Sequence, residues 1–240
     1  MNLKALFTFT LILIAGSASM RFSTGRQDSD LFVTYNVDVK KSDLRLYWKN
    51  DKNELFNSLG NLKTWVESKN KKLLFAMNGG MYMEDRSPLG LYIENTKQLR
   101  QLNTARGSGN FYLQPNGVFY ITTDNKAVIC KTSDFKKSSK IKYATQSGPL
   151  LIVDGAINSV FTKGSSNTNV RNGVGILPNG EVVFAMSKDN VNFYDFARYF
   201  QDMGCKYALY LDGFVSRTYC PEKNWAQTDG DFGVIIGVTK

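Results

Sequence analysis

Pro-Asn-Gly occurs twice, at 115–117 and 178–180, each time between short runs rich in branched and aromatic residues. Proline fixes φ and Asn-Gly tolerates positive φ, so each tripeptide predicts a tight turn joining two strands. Phe111–Leu113 and Val118–Ile121 flank the first, Val174–Leu177 and Val182–Met186 the second. Leu150–Val153 running into Asp154-Gly155 is a third strand-turn signal. Punctuation this frequent restricts the middle of the chain to short hairpin strands.

The flanking regions add helices. Leu55, Leu59, Leu62, Trp65 and Val66 recur at helical spacing, predicting an amphipathic helix over Asp51–Asn70. Phe193, Phe196, Ala197, Phe200 and Met203 predict a second, with Asn192 as N-cap and Gly204 as its stop. Each leads into an apolar strand, Leu73–Met77 or Tyr207–Leu211. Leu31–Val39 reads as a strand with Leu44–Trp48 as its partner, and Gly233–Val238 as the last strand. No repeat or low-complexity linker interrupts the 240 residues. The expectation is one α+β domain, a mixed, mostly antiparallel sheet with two main helices.

The N-terminus reads as a secretory signal: Lys4, an 11-residue apolar run Ala5–Ala15, then the small residues Gly16 to Ser19. That run falls well short of the roughly 20 residues a spanning helix needs. The expected organisation is a signal peptide at 1–19 and a domain at 20–240. The product is secreted or periplasmic, without a transmembrane segment after cleavage. The net charge of +9 suits anionic cell-surface polymers or phosphorylated substrates. The lysine clusters at 69–72 and 136–142 lack interleaved aromatics, so no nucleic-acid partner is expected. Cys205 and Cys220 could pair in an oxidising compartment, adding about 3 kcal/mol; three reduced buried thiols, with Cys130, are the alternative.

Histidine is absent. This excludes Ser-His-Asp and Cys-His catalysis and His-ligated zinc. Catalysis must rely on carboxylates, hydroxyls, Lys and Arg. Four segments place glycine beside side chains able to bind or react: Met77–Tyr82, Gln146–Leu151, Arg171–Gly175 and Leu211–Ser216. Glycine lets a ligand approach the backbone, whose N–H groups can cradle an anion.

In order and spacing these segments resemble the phosphodiester glycosidase family, a domain shared by the mammalian lysosomal "uncovering" enzyme and many exported bacterial proteins. The motifs that carry the resemblance are FAMNGGMY, SPLGLYIENTKQL, ATQSGPLLIVDGAIN, RNGVGILPNGEVVFAMS, VNFYDFARYF and YALYLDGFVSRTY, between about Phe75 and Val238. The resemblance implies hydrolysis of the C1–O bond of a sugar linked through phosphate to another alcohol. Where many members carry DGGGS, this chain has Asp212-Gly213-Phe214-Val215-Ser216, which could narrow the pocket or alter how phosphate is held.

The residues suit that chemistry. Ordinary glycosidases need a carboxylic acid to protonate a poor leaving group and a second carboxylate. A sugar phosphodiester instead expels a phosphate monoester, whose second pKa is about 6. Charge neutralisation then matters more than a proton. Asp212, ending an apolar strand, is the candidate nucleophile, base or oxocarbenium stabiliser. Arg171 is the candidate phosphate cation and Asn78 a hydrogen-bonding partner of sugar or phosphate. Gly79, Gly80, Gln146, Ser147, Gly148, Asn172, Gly213 and Ser216 are the candidate substrate contacts. Glu84, Asp85, Asp154 and Asp189 form the pool for a second carboxylate. No cofactor is expected. Asp212, Asn78 and carbonyls could hold Ca²⁺ or Mg²⁺, but no EF-hand or carboxylate cluster points to one. No nucleotide fingerprint is complete. Two other readings are a non-catalytic binder of anionic glycans and a phosphodiesterase that breaks P–O.

Overall fold

The computed structural model describes residues 28–240, and the signal-like segment at 1–19 lies outside them. A single helical turn, α1 (Asp28–Leu31), leads into β1 (Phe32–Val37), β2 (Asp43–Tyr47), α2 (Leu59–Ser68) and β3 (Leu73–Asn78). There follow β4 (Tyr92–Glu94), β5 (Lys97–Arg100), β6 (Gly117–Thr122), β7 (Ala127–Lys131) and β8 (Ile141–Ser147). Then come β9 (Leu150–Val153), β10 (Ala156–Ile157), β11 (Asn172–Ile176), β12 (Val182–Ser187) and α3 (Phe193–Asp202). The chain finishes with β13 (Ala208–Asp212), β14 (Thr218–Cys220), β15 (Trp225–Ala226) and β16 (Ile235–Thr239).

The α+β class and single domain hold, but the strands divide among three sheets. Their orders are β1-β12-β11-β13-β9-β10, β15-β14-β3-β16-β2 and β5-β4-β8-β6-β7. Every pairing between described strands is antiparallel. All three sheets face one central core, where Val33, Phe184 and Leu209 of the first meet Phe75 and Ile236 of the second and Phe119 and Tyr143 of the third. The helices lie on outer faces. Leu59, Leu62 and Val66 of α2 pack on Tyr47, Leu73 and Ala76. Phe193, Phe196, Ala197 and Phe200 of α3 pack on Leu151, Ala185 and Ala208. Full burial of each such aromatic contributes roughly 1.5–3 kcal/mol.

The α3 signals act as written: Asn192 accepts from the Asp195 N–H at 2.9 Å, and Gly204 follows the helix at φ +80°. The 178–180 turn joins β11 to β12, closed by Gly180 N–H to Leu177 O at 2.9 Å. The 115–117 tripeptide behaves differently. Residues 110–112 form a 3₁₀ turn in place of a strand, and buried Asn116 holds the Phe111 carbonyl at 3.0 Å. Helix α2 begins at Leu59, capped by Ser58, and not at Asp51, because Asn53 and Asn57 sit at positive φ and Asn50 caps a turn over 50–54. β2 pairs with β16, and β1 with β12, so the predicted pairing of β1 with β2 does not form. Cys130, Cys205 and Cys220 are free thiols. Cys205 packs under α3 while Cys220 belongs to the central core.

Candidate active site

Ends of strands from all three sheets converge at one place. Asn78 closes β3, Asn172 opens β11, Asp212 closes β13 and Ser147 closes β8. Ala208 to Leu211 are fully buried, so the chain leaves the core at Asp212. There the Asp212 N–H donates to Asn172 Oδ1 at 2.7 Å, beside an irregularity in the β11–β13 register. Asn172 Nδ2 donates to both the carbonyl and Oδ1 of Asn78, each at 2.9 Å. Asn78 Oδ1 also accepts the Arg217 N–H at 3.0 Å. With its oxygen so occupied, the Asn78 amide can only present N–H to the carboxylate, and it donates to Asp212 Oδ2 at 2.9 Å. The Gly213 N–H donates to Asp212 Oδ1 at 2.8 Å. Ser147 Oγ ties the third sheet in by donating to Leu211 O at 2.8 Å.

Asp212 is densely enclosed by protein yet keeps a part-exposed edge on a cavity of about 420 Å³. Burial pushes its carboxyl up to about 6, against the opposing pull of the Gly213 and Asn78 donors. Tyr82, Phe111, Tyr112 and Tyr210 give the cavity aromatic walls, and Asp212 carries the only acidic or basic side chain among them. Phe214 stands at the rim, 83% exposed. Glu84, Asp85, Asp154 and Asp189 are exposed and none lines the cavity. Among the described residues, no group of three or more Cys, Asp and Glu side chains is arranged to hold a metal ion.

The other sequence candidates separate into distinct roles. Asp212 and Gly213 line the cavity, and Asn78 and Asn172 orient Asp212 from behind. Arg171 does not line it. Its guanidinium is fully buried, spent on Val191 O, Asn167 and Tyr210, and stacked on Phe193. Gln146 clamps backbone: Oε1 accepts the N–H groups of Leu91 and Asn103, and Nε2 donates to Asn103 O. Gly79 donates its N–H to Val234 O and accepts the Thr145 hydroxyl at its carbonyl, and a Cβ there would collide with Ile236. Gly80 and Gly148 likewise abut protein, Thr145 and Asn116 respectively. Ser216 is buried with its hydroxyl unpartnered, and its N–H closes a turn on Gly213 O at 2.7 Å.

Tyr82, Asn110, Tyr112, Asn169 and Tyr210 were not among the candidates, although they shape the cavity. For Tyr210 a signal existed. Strand alternation places 208, 210 and 212 on one face, while Leu209 and Leu211 enter the central core. Asn110 and Tyr112 lie on the 3₁₀ turn, where no periodicity operates.

The family model described as phosphodiester glycosidase matches residues 71–238. The uncharacterized protein YigE of Escherichia coli (strain K12) is 39% identical over 221 residues, covering 91% of this chain and 86% of that protein. Among solved structures, the catalytic domain of zebrafish N-acetylglucosamine-1-phosphodiester alpha-N-acetylglucosaminidase, auto-inhibited by its pro-peptide, aligns with TM-score 0.55 and 15% identity. The alignment covers 87% of this chain and 88% of that one. A hypothetical protein from Synechocystis aligns with TM-score 0.52 and 13% identity over 87% of this chain and 59% of its own.

Proposed function

This chain belongs to the phosphodiester glycosidase family, and on that premise we propose that it is an exported hydrolase cleaving the C1–O bond of a sugar-1-phosphodiester in a glycan or cell-surface polymer. The observation that carries this reading is the solitary carboxylate of Asp212 in an aromatic-walled cavity. Aromatic faces suit the apolar faces of a pyranose ring. A pair of carboxylates would be needed to expel an alkoxide. Here one suffices, because the departing phosphate monoester is stable without a proton at neutral pH.

In this scheme the sugar lies against Tyr82 and Tyr112 with C1 toward Asp212. Ionised Asp212 takes a proton from the water that attacks C1, or attacks C1 itself to form a glycosyl ester that water then hydrolyses, and the C1–O bond to phosphate breaks with its electron pair going to the phosphate oxygen. Asn78 and the Gly213 N–H keep the carboxylate aimed and ionised. The net charge of +9 becomes +8 once Lys4 leaves with the signal (29 − 21), and it favours encounter with a polyanionic glycan.

The test is hydrolysis of N-acetylglucosamine-1-phospho-methyl diester in ¹⁸O water with mass analysis of both products. The expected result is ¹⁸O in the sugar and unlabelled methyl phosphate. Label in the phosphate would mean P–O cleavage and overturn the assignment.

A further inference from the structure

The mechanism above leaves one buried charge unused. Arg171 is 0% exposed, and among the described residues no carboxylate forms an ion pair with it. Its partners are neutral. Nε donates to Val191 O at 2.8 Å, Nη2 to the Asn167 carbonyl at 2.9 Å and side-chain oxygen at 3.2 Å, and Nη1 to the Tyr210 hydroxyl at 3.4 Å. The guanidinium carbon lies 3.7 Å from the Phe193 ring centre. These contacts disperse the positive charge without cancelling it. Removing a guanidinium from water without a counter-ion costs several kcal/mol, so its surroundings favour an incoming anion.

Of the side chains that bond to this guanidinium, Tyr210 is the one that lines the cavity. Its oxygen accepts from Arg171, which leaves the hydroxyl proton free to donate elsewhere. The hydroxyl lies against Gly213, where a Cβ would overlap it, and is therefore next in line after Asp212. Asn110 lines the same cavity, its side chain near that hydroxyl. A donor polarised by a buried cation, a second amide donor and a glycine without side chain thus meet in a cavity whose only acidic or basic lining side chain is Asp212.

We propose that the Tyr210 hydroxyl, held by Arg171 and assisted by Asn110, is the hydrogen-bond donor that receives the substrate's phosphate at the Gly213 end of the cavity. This rests on the sugar-phosphodiester reading and assigns the phosphate subsite within it. Arg171 is then a positioning residue that acts through the phenol. When the C1–O bond breaks and the electron pair moves to oxygen, the phosphate gains a second negative charge at the donor pair.

The test is calorimetric titration of the full chain with methyl phosphate, alongside turnover of the methyl diester. Tyr210→Phe keeps the ring against Phe193 and removes the hydroxyl, which is both the proposed donor and the acceptor of Arg171 Nη1–H. Its expected effect is a roughly tenfold weaker Kd for methyl phosphate, the size of one hydrogen bond to a charged group, read below the somewhat lowered Tm that the unsatisfied Arg171 N–H brings. Asn110→Ala, on a surface turn, is expected to weaken Kd several-fold and gives a second reading. Asp212→Asn is expected to tighten it by removing like-charge repulsion. Unchanged affinity in both Tyr210→Phe and Asn110→Ala, or no methyl phosphate binding by the unaltered protein, overturns the subsite. Wild-type turnover by Tyr210→Phe would overturn the subsite and leave the glycosidase reading intact. Phosphate affinity lost in Tyr210→Phe, with no diester hydrolysed by any form, would keep the subsite and overturn the glycosidase.

Discussion

The Asn78 amide donates to Asp212 Oδ2 across 2.9 Å, joining residues 134 positions apart in the chain. Because the donor stabilises the ionised carboxylate, it opposes the burial that pushes Asp212 up to about 6. If ionised Asp212 is the active form, kcat/KM should fall as pH drops through about 6. In Asn78→Ala the acid limb should move upward by about one pH unit, since a lost hydrogen bond to a charged group favours the neutral form. A pH–rate profile reads this directly, and a limb that stays in place would deny Asn78 its role.

Asp212→Asn should abolish most turnover, by roughly 100-fold or more, and should also make stability less dependent on pH. The folded carboxyl titrates at about 6, above the unfolded value of about 3.9. The folded state therefore holds the proton more tightly, and stability falls as pH rises between those values. Above pH 6 the whole penalty remains, on the order of 3 kcal/mol. Asparagine escapes this pH-dependent penalty but sets its NH2 against the Asn78 or the Gly213 N–H, so what it changes is the slope of stability with pH. Thermal unfolding of the two forms at pH 4 and pH 7 is the measurement: the parent should lose Tm between them and the asparagine form should lose less.

Gly213→Ala places a methyl group against the Tyr210 hydroxyl. Overpacking of this kind costs about 1–3 kcal/mol. In Tyr210→Phe the obstructing oxygen is gone, so the alanine should be tolerated better there than in the parent. A double-mutant cycle of unfolding free energies should show favourable coupling of about 1 kcal/mol. Simple additivity would separate the two side chains.

Gln146→Leu should separate fold from chemistry. Its carbonyl oxygen is the acceptor for the Leu91 and Asn103 N–H groups. Leaving those donors unsatisfied costs about 2–4 kcal/mol in total. Urea unfolding should show that loss while kcat per folded molecule stays at the parent value.

What the sequence disclosed follows the range of the forces involved. Helix α3 was legible because its cap, apolar stripe and glycine stop lie within 13 residues and act on one another. The place of Asp212 at a strand end was legible because an apolar strand breaking at Asp-Gly is a local signal. Partnering was not: β1 and β2 are neighbours in sequence, yet β1 completes the first sheet beside β12 and β2 joins β16. Direction was not legible either. Arg171 belongs to a glycine-rich segment that adjoins the site, but Val191, Asn167 and Phe193 draw its side chain inward, and those partners come from separate loops and α3. Gln146 illustrates the same limit, since a polar residue beside Ser-Gly-Pro reads as a contact until the backbone groups it serves are known.

The meeting of Asn78, Ser147, Asn172 and Asp212 gives the chain a built-in latency. Each of the three sheets delivers a strand end to the junction, so any form in which one sheet has yet to dock lacks an aligned carboxylate. A nascent or unfolded chain would carry every reactive residue and remain inert. Activity would switch on only when the last sheet closes the core, and would be lost as a unit when any one of them opens.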